Sequence, residues 1–173
     1  VIGSYFVYRF TFNPILIGII AIAAVSVVAY SAIISKWGVG ELIAGLNFGP
    51  LLIIGTYFLQ TGRIDLEPII VGISLGTLVA GILYINEFPD TIADKEKGRR
   101  HLVVRWGKAK AATRFKVLIA SAYLIIIVGV IGSVVTPFAL LSLIALPKAR
   151  AATSILSRNY DKTIELIPGM ASM

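Results

Sequence analysis

Three side chains with oxygen atoms that can bind a metal recur every four residues in the middle of the chain: Asn86, Asp90 and Asp94. If a helix extends over this stretch, residues four apart stack on one face and present these oxygens in a row. Oxygen ligands without cysteine or histidine suit Mg²⁺, which typically binds through one or two carboxylates together with substrate phosphate oxygens. The spacing therefore predicts a magnesium site, although Pro89 lies in the same stretch and can kink the helix.

Basic residues follow the acidic ones almost at once. They are Lys95, Lys97, Arg99, Arg100 and Arg105. Arginine can bind a phosphate through two N–H groups and lysine adds a point charge, so acids followed by bases suit a metal-bridged diphosphate. Gly98 can turn the chain so that both groups face one pocket. The alternative is a solvated loop whose acids pair with neighbouring bases and whose positive charge only sets the topology.

The composition around this charged stretch is that of a membrane protein. Of the 173 residues, 57% are hydrophobic, and the mean hydropathy is +0.89. The absence of cysteine and the single histidine, His101, exclude disulfides and multi-histidine metal centres, and a lone loop histidine is a weak candidate for a catalytic base. The net charge of +7 does not indicate nucleic-acid binding, because the basic residues flank apolar segments.

Hydropathy predicts an all-α transmembrane helical bundle, organised as a single domain over residues 1–173. A bilayer-spanning helix needs roughly 20 mostly apolar residues. Such segments occur at about 14–35, 41–61, 68–87, 111–134 and 137–157, with a partial span at 1–8. The charged stretch then falls in a connection at about 88–110. Small residues let helices approach closely in lipid, so the pair Gly72 and Gly76 favours a packed bundle.

The distribution of positive charge predicts the orientation. Residues 88–116 hold nine of the sixteen lysines and arginines. Because cytoplasmic loops carry the excess of these residues, this segment is predicted to be cytoplasmic, together with 36–40 and 148–166. We therefore expect a multi-pass integral membrane protein, in the plasma membrane of a prokaryote, with its functional loops on the cytoplasmic side.

Two stretches carry a recognisable motif pattern. One comprises Asn86, Asp90, Asp94, Gly98-Arg99 and Leu102-Val-Val-Arg105-Trp-Gly107. The other runs from Gly38-Val-Gly40-Glu41-Leu42 through Phe48-Gly49-Pro50 to Gly55-Thr56-Tyr57-Phe58-Leu59-Gln60-Thr61-Gly62. Together, and in this order, they resemble the UbiA superfamily of intramembrane prenyltransferases, in particular its menaquinone-pathway branch. The first stretch corresponds to the second aspartate-rich motif of that branch.

The resemblance implies an enzyme that transfers a prenyl group from a polyprenyl diphosphate to an acceptor, usually an aromatic ring, inside the membrane. Its cofactor would be Mg²⁺, bound by Asp90 and Asp94 with assistance from Asn86. Arg99 and Arg100 would bind the diphosphate, with Lys95 as a further candidate.

Other polar residues are expected near the same membrane face. Tyr30, Ser31 and Lys36 could reach the diphosphate from across the cavity, as similarly placed residues do in the family. The alternatives are an interfacial aromatic residue for Tyr30 and a topology determinant for Lys36. Asn47 is an amide within a span that must find a partner, either another helix or the acceptor.

The chain departs from the family pattern at three positions. Glu87 stands where the branch usually has a second asparagine, Pro89 where arginine is common, and His101 where threonine is common. These departures leave the acceptor open, and a glycerol-based lipid or a porphyrin-type acceptor is an alternative to an aromatic ring. The family's first aspartate-rich motif and complete last helix are not found here, so we expect five full spans of about nine and a piece of a longer protein. Alternatives from other classes are a transporter or channel and a structural membrane subunit.

Overall fold

The computed structural model describes residues 2–29 and 38–173, and over these residues the chain is helical without any β-strand. The α-helices in chain order are α1 (Ile2–Arg9), α2 (Pro14–Ala29), α3 (Gly40–Leu46), α4 (Leu52–Thr61), α5 (Leu66–Glu96), α6 (Leu102–Trp106), α7 (Lys108–Ile131), α8 (Leu146–Asn159) and α9 (Thr163–Ala171). A π-helical turn, Asn47–Leu51, joins α3 to α4, and a 3₁₀ segment, Pro137–Ala145, leads into α8.

Four continuous helical stretches are long and apolar enough to cross a membrane. They are Gly40–Thr61, Leu66–Glu96, Lys108–Ile131 and Pro137–Asn159. They confirm the spans predicted at 41–61, 68–87, 111–134 and 137–157. The protein is thus an integral membrane protein with an all-α bundle. The span predicted at 14–35 is described only as α2, because its later residues lie outside the described part of the chain.

Helix α5 does not end where the charged stretch begins. The sequence predicted a connection from residue 88 onward, whereas the helix continues through Pro89 to Glu96. That predicted boundary is wrong because hydropathy marks the passage from lipid to water, and a helix can continue across it. The extension places Asn86, Asp90 and Asp94 on one continuous helix.

A glycine ends this long helix by reversing the chain. Gly98 has φ +75°. The N–H of Gly98 donates to the carbonyl oxygen of Lys95 at 3.1 Å, and the N–H of Arg99 donates to that of Asp94 at 2.9 Å. This pair of bonds is the Schellman arrangement, in which a left-handed residue follows the helix and its last carbonyls are satisfied. Gly98 turns the chain back toward the acidic face and brings Arg99 onto Asp94.

Glycines allow the π-helical turn to lie directly on α5. A Cβ atom at Gly49 would be 2.4 Å from the carbonyl oxygen of Gly72 and 2.4 Å from Cα of Gly76. A Cβ at Gly45 would lie 2.6 Å from the carbonyl oxygen of Gly76. Pro50 lies in this turn and has no N–H to donate, which favours the local widening of the helix. The small-residue face predicted at Gly72 and Gly76 is therefore a backbone-to-backbone contact.

Aromatic side chains join the end of α5 to the start of α7. The ring of Tyr84 stacks on that of Phe115 with centroids 6.0 Å apart and planes 11° from parallel. The Tyr84 hydroxyl donates to the carbonyl oxygen of Ala111 at 3.1 Å. Phe88, one turn further along α5, has no exposed surface. This buried cluster fixes the part of α5 from which the acidic residues project.

We expect Gly49→Ala to destabilise the bundle by about 1–3 kcal/mol, because the added methyl group meets backbone atoms that can move only if α5 shifts. Gly18→Ala is the matched control: it lies within α2, and no atom of the other described helices lies within 4 Å of the added Cβ. Thermal unfolding in detergent should show a lower midpoint for Gly49→Ala alone. Equal midpoints for the two variants would contradict the close contact.

Candidate functional site

A polar cleft of about 290 Å³ lies between the start of α3, the end of α5 and the chain that follows Gly98. Its lining comprises Gly38, Gly40, Glu41, Leu83, Asn86, Glu87, Asp90, Asp94, Arg99 and His101. Residues from both motifs quoted from the sequence therefore meet in one place. Acidic side chains outnumber basic ones in the described lining, with four carboxyl groups and one guanidinium.

The predicted metal-binding residues share this cleft. Asn86, Asp90 and Asp94 project from successive turns of α5, and all three line it. Asn86 and Asp90 are exposed, whereas the side chain of Asp94 is only 14% exposed. The row predicted from the four-residue spacing thus has an open end and a more enclosed end.

Among the predicted diphosphate-binding residues, Arg99 is the one that the described structure brings into the cleft. Its Nη1 atom donates to Oδ1 of Asp94 at 3.2 Å. Lys95 and Arg100 are exposed and are not among the residues that line it. Tyr30, Ser31 and Lys36 lie outside the described residues.

Glu41 is a cleft residue to which the sequence assigned no role. It is 2% exposed, and its Oε1 atom accepts a hydrogen bond from the N–H of Leu102 at 3.3 Å. This bond ties the start of α6 to the first turn of α3. The backbone carbonyl of Arg100 also packs against Gly38, where a Cβ would lie 2.0 Å from the carbonyl oxygen. A carboxylate at the start of an apolar span, within a glycine-rich motif, is the sequence signal that could have identified Glu41.

His101 lies deeper in the cleft than a loop histidine is expected to lie. Its side chain is 9% exposed, with Nδ1 3.0 Å from Oε2 of Glu87 and Nε2 3.4 Å from Oδ2 of Asp94. Neither contact has the geometry of a formed hydrogen bond. Burial lowers the pKa of His101 below its usual value, and the nearby carboxylate of Asp94 offsets only part of that shift. This shift favours the uncharged imidazole, which can donate from one nitrogen only.

The donor atoms of the cleft fit Mg²⁺ as part of a coordination shell. The α5 row offers carboxylate and amide oxygens, which this ion prefers. Within residues 2–29 and 38–173, no group of three or more His, Asp or Glu side chains is close enough to hold a metal by itself. Mg²⁺ commonly binds through one or two carboxylates and completes its shell with phosphate oxygens and water, so this arrangement suits a metal that arrives with a phosphorylated substrate.

Asn47 lies apart from the acidic row, beside an apolar cavity of about 480 Å³. Its Nδ2 atom donates to the carbonyl oxygen of Ile43 at 2.8 Å, so the amide predicted to need a partner finds one within its own helix. The cavity is also lined by Ser26, Phe48 and Leu83, and Leu83 lines the polar cleft as well. A polar and an apolar compartment therefore share one wall.

A model of the UbiA prenyltransferase family matches residues 1–167. The chain belongs to this family. It is similar to the 1,4-dihydroxy-2-naphthoate octaprenyltransferase of Bacillus subtilis, with 28% identity over 77% of this chain and 42% of that protein. The enzyme of the same name from Haemophilus influenzae is 30% identical over 91% of this chain and 51% of that protein.

A third relative is named for a different activity. The 2-carboxy-1,4-naphthoquinone phytyltransferase of Synechocystis is 30% identical over 54% of this chain and 31% of its own length. The chain thus spans about half or less of the curated relatives that it matches. No solved structure gives a significant match.

We expect Glu41→Ala to release the segment that holds the basic residues. Removing the acceptor leaves the N–H of Leu102 without its partner, which costs about 1–3 kcal/mol and makes local opening more frequent by about 5-fold or more. Trypsin should then cleave at Lys97, Arg99 and Arg100 correspondingly faster. Glu41→Gln keeps an oxygen that can accept from Leu102 and should be cleaved at nearly the wild-type rate. Equal cleavage of wild type and Glu41→Ala would show that this bond does not hold the segment.

Proposed function

We propose that this chain forms part of a Mg²⁺-dependent prenyltransferase that transfers a prenyl group from a polyprenyl diphosphate to a small aromatic acceptor inside the membrane. The observation that carries the proposal is the acidic row of α5 in one cleft with Arg99, beside an apolar cavity. A cleft lined by more acids than bases disfavours a free diphosphate, because like charges repel. It favours a diphosphate that is accompanied by divalent cations.

The diphosphate end of the site is assigned to the residues that project from the end of α5 and follow it. Asp90 and Asp94 hold Mg²⁺ and Asn86 contributes a neutral oxygen. An ion held there would supply positive charge to the departing diphosphate, so that the allylic C–O bond could break more readily. Arg99 already lies on Asp94, and its remaining N–H groups can donate to phosphate oxygens.

Five further residues are proposed to surround the diphosphate. They are Arg100, Lys95, Tyr30, Ser31 and Lys36. The turn at Gly98 brings the chain back toward α5, so a modest side-chain movement would bring Arg100 to the substrate. Lys36 precedes Gly38, which lines the cleft, by two residues in the sequence.

The apolar compartment is proposed to hold the isoprenoid and to keep water from the reacting carbon. Its 480 Å³ lie between α2, the π-helical turn and α5, with Asn47 as a polar group at the wall. An allylic cation is quenched by water, so transfer to an acceptor requires a dry chamber next to the diphosphate. The wall shared at Leu83 gives the reacting carbon a place at the junction of the two compartments.

A naphthoate-type acceptor is proposed because the three relatives named above, which differ in prenyl group, all have a naphthalene-based acceptor in their names. The reaction would then belong to quinone biosynthesis of the menaquinone type. A glycerol-based lipid or a porphyrin-type acceptor would use the same diphosphate residues, so it is tested as a competing substrate. We also propose a prokaryotic plasma membrane, with the end that carries residues 88–116 on the cytoplasmic side.

Asp90→Asn and Asp94→Asn in the full-length protein should each lower the transfer rate by about 100-fold or more, because each removes charge stabilisation of the leaving group. Asp161→Asn changes an exposed carboxylate outside the cleft and should leave the rate unchanged. The measurement is transfer of radiolabelled polyprenyl diphosphate to dihydroxynaphthoate in detergent with Mg²⁺. Wild-type rates in both cleft variants would exclude the proposed metal site.

The acceptor panel should also contain 4-hydroxybenzoate and a glyceryl phosphate lipid. We expect dihydroxynaphthoate to be prenylated fastest, and chelation of Mg²⁺ by EDTA to abolish the reaction until Mg²⁺ is restored. If another acceptor is prenylated faster, only the proposed acceptor is wrong and the proposed prenyl transfer stands. No transfer to any acceptor and no diphosphate release would overturn the enzyme function.

A further inference from the structure

We propose that Glu87 and His101 act together as positioning residues that hold the carboxylate of Asp94 toward the cleft. This inference rests on the proposed function, because it assigns Asp94 to the metal. His101 lies between the two carboxyl groups, 3.0 Å from Oε2 of Glu87 and 3.4 Å from Oδ2 of Asp94. It therefore approaches Oδ2 of Asp94, whereas Arg99 donates to Oδ1.

Burial makes this arrangement more than a surface contact. The whole of His101 is 7% exposed, and Oε2 of Glu87 has no solvent contact and no formed hydrogen bond. A buried polar side chain is costly unless nearby groups compensate for the lost water. The imidazole lies against the two carboxyl groups, and Glu41 lies within hydrogen-bonding reach of Glu87, so the orientation of each group depends on its neighbours.

The backbone on both sides of His101 is fixed independently. The next residue, Leu102, donates its N–H to the buried Glu41, and the preceding residue, Arg100, packs its carbonyl on Gly38. The backbone of His101 therefore cannot move away from Asp94 without breaking the contact between α3 and the segment after Gly98. Groups that orient a metal-binding side chain in this way commonly affect metal affinity by about 10–100-fold.

Glu87 and His101 are also two of the three positions at which the chain departs from the family pattern, and they contact each other. Residues in contact are expected to couple: changing one partner should leave the other without its contact, and changing both should add little. The substitutions Glu87→Asn and His101→Thr place the usual residues of the pattern at these positions. They give a double-mutant cycle with a defined expectation.

The experiment measures the affinity for Mn²⁺, which replaces Mg²⁺ because the free ion has an EPR signal. It uses the full-length protein with a non-reactive prenyl thiodiphosphate. We expect each single variant to weaken Mn²⁺ binding by about 10-fold or more. The double variant should bind about as weakly as one single variant, and less weakly than the product of the two effects. In an Asp94→Asn background, His101→Thr should change the affinity no further.

Lys162→Thr and Glu165→Asn are the matched controls, since they break an exposed ion pair of 3.0 Å outside the cleft and should leave Mn²⁺ binding unchanged. Unchanged affinity in the single variants, or strictly multiplicative effects in the double variant, would overturn the positioning role. If Glu87→Asn does not fold, Glu87→Gln takes its place in the cycle under the same criteria. Wild-type protein that binds no Mn²⁺ with the analogue would instead overturn the proposed function.

Discussion

The need to satisfy every backbone hydrogen bond in lipid governs this structure, and helix α5 shows its consequence most clearly. In the hydrocarbon layer there is no water to bond to, so the chain crosses it as closed helices. The 31 residues of α5 extend for about 46 Å at 1.5 Å per residue, whereas the hydrocarbon core is about 30 Å thick. About ten residues must therefore project beyond the apolar layer. They include the turns that carry Asp90 and Asp94.

This excess length brings together two environments that a diphosphate lipid requires. The middle of the helix lies among apolar neighbours and its end carries acidic residues into a polar cleft, without a break in the helix between them. The glycine contact at Gly49 and Gly76 and the aromatic stack at Tyr84 anchor it in the apolar part. The acidic row is therefore held by packing in the membrane, and its position does not depend on a solvated loop.

The sequence was sufficient for those features that depend on local composition. Apolar length identified four spans, four-residue spacing identified the row on α5, and Gly98 identified the turn. The end of α5 was misplaced because hydropathy reports the surrounding solvent and carries no signal for where a helix stops. Composition likewise did not show that the last span begins as a 3₁₀ segment, because that depends on how it packs.

The buried polar residues could not be found in this way, for a different physical reason. Glu41 accepts from Leu102, 61 positions further along the chain, and His101 is enclosed only because that bond draws the segment onto α3. From local patterns, a histidine that follows charged residues is predicted to lie in water. The burial of His101 arises from the tertiary contact. The same contact helps to enclose the end of the row that carries Asp94, whose side chain is 14% exposed, while Asp90 stays open to solvent. Electrostatic attraction for a divalent cation is stronger there than it would be along an exposed acidic helix, because less water screens it. The charged stretch becomes a candidate site through this enclosure. The bond between Glu41 and Leu102, which are distant in sequence, produces it.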